Sequence, residues 1–565
     1  MVFDRKEATT AGGTVTSERL SHKTSINASN SLYGLIPGLY TMQNANTAWG
    51  DAATMYIRGL GTTNSRTPLI MIDGFERGIE DITVQEIESV TVLKDAAALA
   101  LYGVRGANGV VYIKTKRGVV GKPVINFNYE FNFGTPNRLP KFVDGYTYAQ
   151  ALNEGLRNDG LSPRYSQREL DAFRDQTYPD FYPNVDWWDE ALRDHSYGDN
   201  VNFNIQGGSE KVRYFAQLNW LDDRGILKPV SDNEGYSGQL KYSKVNIRTN
   251  LDIQATKTTQ VQIGMLGNFA EHNRPGATVG NLFGALYQVP SGAFPVKTAN
   301  GLWGGNDIYS NNPVAYISGM GYARSQSRAL YADMNIMQDL SAITPGLSAS
   351  MQIGFDSNGS YWDNNTRTFA YESAVKGWDG EEDKYEKLRE ETALSFSSSV
   401  GSIVRRFTFG AQANYDKMWN DHKLNATLFY SMDKTSSQGQ NKSRAYMDVA
   451  AQAHYTYKNR YLLDFTLSGS AASVLDPDDR WGIFPSIGAG WILSEEDWLK
   501  DNGIDLLKLR ASYGITGRAD YEMGLWKLYF GGGNGYYFGQ TPAGASGYAE
   551  NQIAVEGLTL SLIHI

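Results

Sequence analysis

The sequence predicts a mainly β protein, in which a small α/β domain precedes an antiparallel transmembrane β-barrel. Three observations carry that prediction. Segments of alternating apolar and polar residues recur from Val124 to Tyr513, and period two puts the two kinds on opposite faces of a strand. Their connections alternate long and short without a slip from Val124 to about Ser470, as the loops and turns of outer-membrane barrels do. The composition also agrees, with 35 Tyr, 23 Phe, 12 Trp and 59 Gly against 17 Pro in 565 residues. That length exceeds one ordinary soluble core. No apolar run reaches the roughly 18 residues of a transmembrane helix. Barrel strands carry a much weaker hydropathy signal, so this does not argue for a soluble protein. Cysteine is absent, which excludes disulfides and thiolate metal sites. A net charge of −9 gives no basic footprint for nucleic acid.

Taken in order, Met1–Glu7 is charged and lacks the apolar core of a signal peptide. An outer-membrane protein needs one, so a longer natural N-terminus is expected. Residues 8–54 lead into the first domain, and Leu32–Leu39 reads as a short helix closed by Pro-Gly. Four β-rich runs follow: Met55–Ile57, Pro68–Ile72, Ile87–Leu93 and Val110–Thr115. Each ends at Gly or a charged turn and reads as a strand. Lys94–Gly103 is rich in Ala and Leu and reads as a crossover helix stopped by Gly103. The expected product is a compact mixed sheet of roughly 65 residues, marginal by itself.

Ile57-Arg58-Gly59, Pro68-Leu69, Ile72-Asp73-Gly74, Ile87-Glu88-Ser89-Val90, Leu93-Lys94-Asp95 and Tyr102-Gly103-Val104-Arg105-Gly106-Ala107-Asn108-Gly109-Val110 stand in that order. This series resembles the plug of TonB-dependent outer-membrane transporters. Its LKDAAALALYGVRGANGVVYIKTKRG version is similar to the SusC/RagA branch of Bacteroidetes. The glycine pattern around Arg105 alone would signal only a turn. The resemblance implies that residues 1–118 form a plug domain and residues 119–565 a partial transmembrane barrel with long extracellular loops. It also implies structural or gating roles for Arg58, Gly59, Asp73, Gly74, Lys94, Asp95, Tyr102, Gly103, Arg105, Gly106, Asn108 and Gly109. The TonB-box segment that precedes the plug in this family is not recognisable.

The barrel segments begin with Val124–Phe133, where Phe127, Tyr129, Phe131 and Phe133 alternate with Asn126, Asn128, Glu130 and Asn132. Val201–Ile205 turns through Gly207–Glu210 into Val212–Asn219, and Val245–Ile253 turns at Thr256–Thr259 into Val261–Phe269. Leu330–Asp339 turns at Thr344–Gly346 into Leu347–Phe355, and Phe407–Tyr415 turns near Asn420 into Leu424–Tyr430. Val449–Tyr457 turns at Lys458–Arg460 into Tyr461–Leu467, followed by Trp481–Trp491 and Leu507–Tyr513. Membrane strands need about 9–11 residues, and a bilayer tolerates no open edge. The long connections are 134–198, 222–240, 270–328, 356–403 and 432–446, while the 494–505 connection departs from the pattern. Asn184–Glu190, Gly207-Gly208 with Tyr214 and Gly225-Ile226, Trp481–Ser486 with Gly490-Trp491, and Leu507–Gly517 also resemble family segments. Resemblance therefore spans roughly residues 10–520. About 13 candidate strands against about 22 in plugged transporters give the expectation of an incomplete barrel, the N-terminal portion of a longer transporter.

No convergent catalytic group is evident. His22, His195, His272, His422, His454 and His564 lack ligand partners at helical or hairpin spacing. No GxSxG, P-loop or HExxH occurs. Asp379–Asp383 and Asp476–Asp479 lack the EF-hand order and read as solvated loop charge. The expectation is a non-enzyme with no catalytic residue, metal or cofactor. Trp187, Trp188, Trp303 and Trp362 fall in the expected extracellular loops, where an indole either stacks on a cargo ring or packs the loop. The resemblance implies active import of an oligosaccharide or oligopeptide across the outer membrane. A SusD-like surface lipoprotein would close over the cargo, and the TonB-ExbB-ExbD complex would pull the plug using the proton-motive force. Outer-membrane lipid would surround the barrel, and no nucleic acid is expected. The alternative is a siderophore or cobalamin receptor on the same architecture. A surface adhesin or secretion pore is a third reading, and the plug argues against it.

Overall fold

A computed structural model describes residues 8–23, 25–43, 52–60, 67–136, 138–228, 236–438, 443–500 and 503–527, with backbone strands at 529–533, 547–552 and 561–564. The charged run at 1–7 lies outside the described residues.

The N-terminal domain contains β1 (Gly12–Thr16), β2 (Leu39–Met42), β3 (Thr54–Ile57), β4 (Leu69–Ile72), β5 (Phe75–Glu76), β6 (Ile87–Leu93) and β7 (Val110–Thr115), with α1 (Ser17–Ser21) and α2 (Ala96–Leu99). All four expected strands are present, but their pairing differs. The main sheet has order β1-β6-β7-β4-β5, with β4 parallel to β7. β3 leaves it and pairs with β2 in a separate ribbon. β6 and β7 are antiparallel neighbours, so the segment joining them is not a crossover. The Ala-rich run there makes a single α-helical turn and continues as a 3-10 turn over Ala100–Arg105. The helix expected at Leu32–Leu39 is instead a 3-10 turn at Asn30–Leu32. Val15, Leu20, Ile36, Ile72, Ile79, Val90 and Ile113 build the core, which Leu266 and Tyr331 complete from outside the domain.

Those two residues belong to a wall that surrounds the domain on one side. Its strands are β8 (Gly121–Gly134), β9 (Ser196–Gly208), β10 (Val212–Arg224), β11 (Lys241–Gln254) and β12 (Thr259–Pro275). A two-residue β13 (Trp303–Gly304) lies in a loop, and β14 (Gly321–Asp339) and β15 (Leu347–Thr366) resume the wall. β16 (Tyr371–Val375) and β17 (Lys384–Arg389) join β13 in a small loop sheet. β18 (Ser395–Trp419), β19 (His422–Ser437), β20 (Arg444–Tyr457), β21 (Tyr461–Ala472), β22 (Trp481–Ile492) and β23 (Lys508–Arg518) complete the run. The wall is antiparallel from β8 to β23, and Ser561–His564 adds a short fourteenth strand.

Every segment read from alternation is a wall strand, and most run longer than expected. Residues 356–366 and 395–403, read as loop, extend β15 and β18. The ladder continues there past the point where alternation fades, as in the run Ser397-Ser398-Ser399. Among the described residues the wall is an open sheet. β8 pairs only with β9 within it, and residues 121–129 of β8 are exposed on both faces.

The long connections fold into a packed layer. It holds α3 (Gly145–Asn158), α4 (Gln167–Asp175), α5 (Trp187–Ala191), α6 (Val279–Gln288) and α7 (Pro313–Ser318). Asp144, Ser166, Asp186, Thr278 and Asn312 cap these helices by accepting from the first free backbone N–H groups. Trp188, Leu227, Leu282, Leu286, Val314 and Phe369, drawn from four connections, share one core.

The wall is apolar outside and polar inside. Phe203, Leu218, Trp220, Ile247, Met265, Phe355, Leu428, Phe465 and Ile487 are exposed outward, while Gln217, Asn219, Asn246, Arg248 and Asn250 are buried inward. An apolar exterior this extended fits lipid, not water. On the short-turn rim Trp419, His422, Tyr457, Tyr461 and Trp491 form a row, with successive ring centroids 5.4, 4.9, 6.3 and 6.4 Å apart. Such aromatic rows mark a membrane–water boundary.

Adjacent residues of β10 test this inside–outside order. Ala216 lies on the face of Leu218 and Trp220, whereas Gln217 is 3% exposed and faces the domain. Arginine on a lipid face near the midplane costs about 2–4 kcal/mol. In the full natural chain with residues 1–118 deleted, Ala216→Arg should impair folding into bilayers more than Gln217→Arg, read as the fraction of heat-modifiable band. The deletion removes the clash of an arginine at 217 with the domain. The reverse order of damage would refute the assignment of faces.

Candidate functional site

The candidate site is the polar seat between the N-terminal domain and the inner wall. It begins with Arg77, just after β5, whose side chain is 1% exposed. Arg77 donates from Nη1 to Asp333 at 2.7 Å and from Nη2 to Asp356 at 2.8 Å. Its guanidinium lies 4.9 Å from the Phe75 ring centroid and 5.1 Å from that of Tyr331. Burial lowers its pKa, but the bonds to Asp356 and the charge of Asp333 outweigh this and raise it overall.

A second tie centres on Glu86, which closes a capping box with Thr83 and accepts from Arg248 Nε. Both side chains are at most 1% exposed. Arg248 Nη1 also lies 3.8 Å from Asp73. Nearby, Asn246 donates to the Asp81 carbonyl at 2.7 Å, Lys244 to the Glu80 carbonyl at 2.5 Å, and the Tyr331 hydroxyl to the Asp81 carboxylate at 2.5 Å. Burial pushes the Asp81 carboxyl above its usual range, against the Tyr331 hydrogen bond.

Glu76 centres a third tie. It accepts from Arg105 at 3.4 Å and from Arg406 at 2.9 Å, while Arg105 also reaches Asp448 at 3.1 Å. Buried charges are costly unless paired, and here Arg77, Glu86, Glu76 and Arg105 each have a partner on the wall, with Arg105–Glu76 a further pair inside the domain. Such a seat is specific yet separable. Water can replace each hydrogen bond, so the net contribution of one such bond to a charged group is about 1.5–3 kcal/mol. A seat of interlocked apolar side chains would have no such substitute.

The residues singled out from sequence divide into two groups. One group holds the domain together. Arg58 bonds Asp95 and the Lys94 carbonyl, and Lys94 bonds the Pro37 carbonyl. Gly59 and Gly74 lie in turns, Asn108 donates to the Thr67 carbonyl at 3.3 Å, and Gly106 and Gly109 pack against Leu99 and Ile57. Tyr102 packs beside Met71, Leu99 and Val110, and burial pushes its pKa up to about 12.

The second group touches the wall. Asp73 accepts from the Thr115 backbone at 2.9 Å and hydroxyl at 2.6 Å, and Asn250 of β11 donates to that hydroxyl at 3.0 Å. Arg105 makes the ties above. Gly103 has φ +48°, and a Cβ there would lie 2.3 Å from Ser470 Oγ and 2.5 Å from Asp448. Any side chain there would collide with the wall.

Sequence reasoning missed Glu76, at the end of the two-residue β5, and Arg77 and Glu86, which fall between strands. It also missed Arg248, Asp333, Asp356, Arg406 and Asp448. Arg248 and Asp333 stand at polar positions of strands read from the sequence, whereas Asp356, Arg406 and Asp448 lie one residue beyond the strand bounds read there, on the observed extensions of β15, β18 and β20.

Of the four tryptophans, Trp187, Trp188 and Trp303 are under 10% exposed and belong to the loop core. Their burial is that of packing residues. Trp362 stands on the extension of β15, with the Arg274 guanidinium 4.8 Å from its ring centroid. Among the histidines, His454 is fully buried in the inner wall and bonds Asp464 at 2.6 Å. Among the described residues no group of His, Asp and Glu is arranged to hold a metal ion.

Both ends of the domain are tied to the wall. At the start, Thr9 donates to Asp464, Lys508 to the Ala8 carbonyl at 2.7 Å, and Arg510 to the Thr10 carbonyl at 2.6 Å. At the exit, Arg117 donates to Asp252 at 2.8 Å, and a Cβ on Gly118 would lie 2.1 Å from the Tyr214 backbone nitrogen.

Residues 4–110 match the TonB-dependent receptor plug domain. The chain is 26% identical to TonB-dependent receptor P39 of Formosa agariphila, over 99% of this chain and 53% of that protein. It is 25% identical to TonB-dependent receptor SusC of Bacteroides thetaiotaomicron, over 89% of this chain and 51% of that protein. The chain thus spans about half the length of the curated relatives it matches. Among solved structures, the RagAB peptide importer in its closed-closed state is similar with TM-score 0.76 at 18% identity, over 98% of this chain and 64% of that one. The siderophore receptor PirA of Acinetobacter baumannii gives TM-score 0.54 at 14% identity, over 100% of this chain and 68% of that one.

Breaking one member of the Glu86–Arg248 pair tests the seat. Glu86→Gln alone or Arg248→Met alone leaves a buried charge unanswered, at a cost of about 3–5 kcal/mol. Each should loosen the domain, seen as faster proteolysis and faster amide exchange across β6 and β7. The double variant should recover part of the loss. Equal protection in all three would show that the pair does not hold the seat.

Proposed function

We propose that this chain carries the plug and part of the barrel of a transporter of the SusC/RagA type it resembles, and that it imports an oligomeric nutrient, glycan or peptide, across the outer membrane. The observation that carries this reading is the seat. A lumen-facing domain is held to a polar wall by ionic ties that water can replace, inside a sheet whose outer face suits lipid. We assign residues 1–118 to the plug and 119–565 to the barrel portion. The turns and glycines of the plug motif keep its shape, and Asp73, Gly103 and Arg105 carry its contact with the wall. In this reading a SusD-like lipoprotein covers the cargo on the loop side, and TonB-ExbB-ExbD pulls on the N-terminal end. The reading includes no chemistry performed on the cargo.

The order of release follows from the topology. A pull on the N-terminal end first meets the contacts of residues 8–10 with Asp464, Lys508 and Arg510. It then reaches β1, which is the edge strand and pairs only with β6 in the main sheet. β1 can leave without breaking the pairing of β6, β7 and β4. A siderophore or cobalamin receptor is the second reading, and the higher TM-score to the RagAB importer than to PirA, 0.76 against 0.54, supports placing it second.

Two measurements test the proposal. A strain lacking the gene should lose growth on particular glycans or peptides from a panel, and keep normal growth under iron starvation. A defect confined to iron-starved cells would favour the second reading. In planar bilayers, the full natural chain lacking residues 1–118 should conduct ions far better than the intact protein. Unchanged conductance would refute a lumenal plug.

A further inference from the structure

The small loop sheet has order β13-β16-β17, and β13 ends at Gly304 while β16 runs on past Glu372 to Val375. Gly305 still donates its N–H to the Glu372 carbonyl at 3.1 Å. Asn306 then turns the chain away, its side-chain oxygen accepting from the Ile308 and Tyr309 N–H groups at 3.0 and 2.8 Å. Backbone groups alternate sides along a strand. Glu372 directs its carbonyl toward β13, so Ala374, two residues on, directs its N–H and C=O to the same side. Among the described residues no strand lies there. A cleft of about 400 Å³ does, lined by Ser373, Ala374 and Val375 together with residues of α3, α4 and the 290–309 connection.

We propose that this cleft captures a short free peptide, which lies extended with apolar side chains and adds a strand to the edge of β16. This rests on the import reading and names its substrate class.

Three observations favour that occupant. The first is the edge itself. A strand edge bonds the main chain of another strand, and that bonding supplies affinity whatever the side chains. A peptide backbone carries the matching N–H and C=O groups, whereas a row of sugar hydroxyls does not. The second is apolar surface. Val375 and Ile308 on the lining are 57% and 60% exposed, and alternate side chains of an added strand would cover them. The deeper rings are already engaged with one another. Phe173 meets Tyr165 and Tyr182 edge to face, with centroids 5.3 and 5.1 Å apart.

The third observation is charge. Glu169 accepts from the Ser166 N–H and the Tyr182 hydroxyl, and Lys376 pairs with Asp383. The other charges on the lining are Arg164 and Asp180. Arg164 rests against the neutral Tyr165, and neither residue forms an ion pair among the described residues. One cation and one anion match the carboxylate and ammonium ends of a free peptide.

The test is calorimetric titration of the full natural protein in detergent with the pentapeptide Ser-Leu-Phe-Leu-Ser. The free peptide should bind at least ten-fold tighter than its acetylated and amidated form, and tighter than cellopentaose. An added strand uses alternate amides. N-methylation of both leucines and N-methylation of the phenylalanine should therefore differ, one abolishing binding and the other sparing it. Ala374→Pro removes the donor at the cleft and spares the bonds to β17, because an edge strand tolerates proline where its N–H points outward. It should weaken the free peptide at least ten-fold. Asp180→Asn should erase the preference for a free N-terminus and Arg164→Gln that for a free C-terminus, and these two serve if the proline variant does not fold. Equal loss with both methylated peptides, equal binding of capped and free peptides, no peptide binding, or tighter binding of cellopentaose would each overturn the proposal. Peptides that fail to bind the cleft but still enter cells would leave the import reading standing. Failure of every oligomer to enter would remove the import reading itself.

Discussion

A barrel wall with a polar inner face must be answered by something polar, and the whole structure follows from how that is done. Lipid requires the outward positions to be apolar, and period two then gives the alternate positions to the lumen. Once a folded domain fills the lumen, those positions lose water and need partners. Arg248 meets Glu86, Arg406 meets Glu76, and Asp333 with Asp356 meets Arg77. The plug supplies complementary groups, most of them on short irregular segments between its strands. Such segments can place a charge without the constraint of sheet periodicity.

The same constraint explains why the domain is stable where it is. Its apolar core is small, and Leu266 and Tyr331 of the wall complete it. The two bodies therefore share a core as well as a set of ion pairs. The loop layer solves a separate problem with the same means. Side-chain caps start each of its helices, and tryptophans from distant connections meet in one cluster.

The wall was largely legible in the sequence because its signal is local. The alternation of Phe127 to Phe133 with Asn126 to Asn132, and its repeats, marked the wall strands from β8 to β23 in the right order. The plug strands were equally clear, since each is a short β-branched run ending at Gly or a charge. Pairing was not legible. Nothing in Met55–Ile57 says that β3 joins β2 instead of the main sheet, because ladder partners are chosen by tertiary packing. The helix after β6 was overread for a related reason. Alanine propensity favours continuation, but Gly103 must come within reach of Ser470 and Asp448, and that contact is invisible in the local sequence. Of the site, the glycine-rich motif pointed to the correct region. Arg77 and Glu86 carry no pattern and emerge only when the wall is set opposite them.

The exit of the plug limits how it can move. Arg117 is bonded to Asp252 of β11, and Gly118 lies flush against the backbone of β10, only a few residues before β8 begins. The far end is thus sewn to the barrel, and in the import reading proposed above the near end is the one that is pulled. A cork leaves a bottle in one piece. A domain anchored at one end and drawn from the other is instead paid out as a thread, and the width of the passage it opens is set by how many residues have been unspooled.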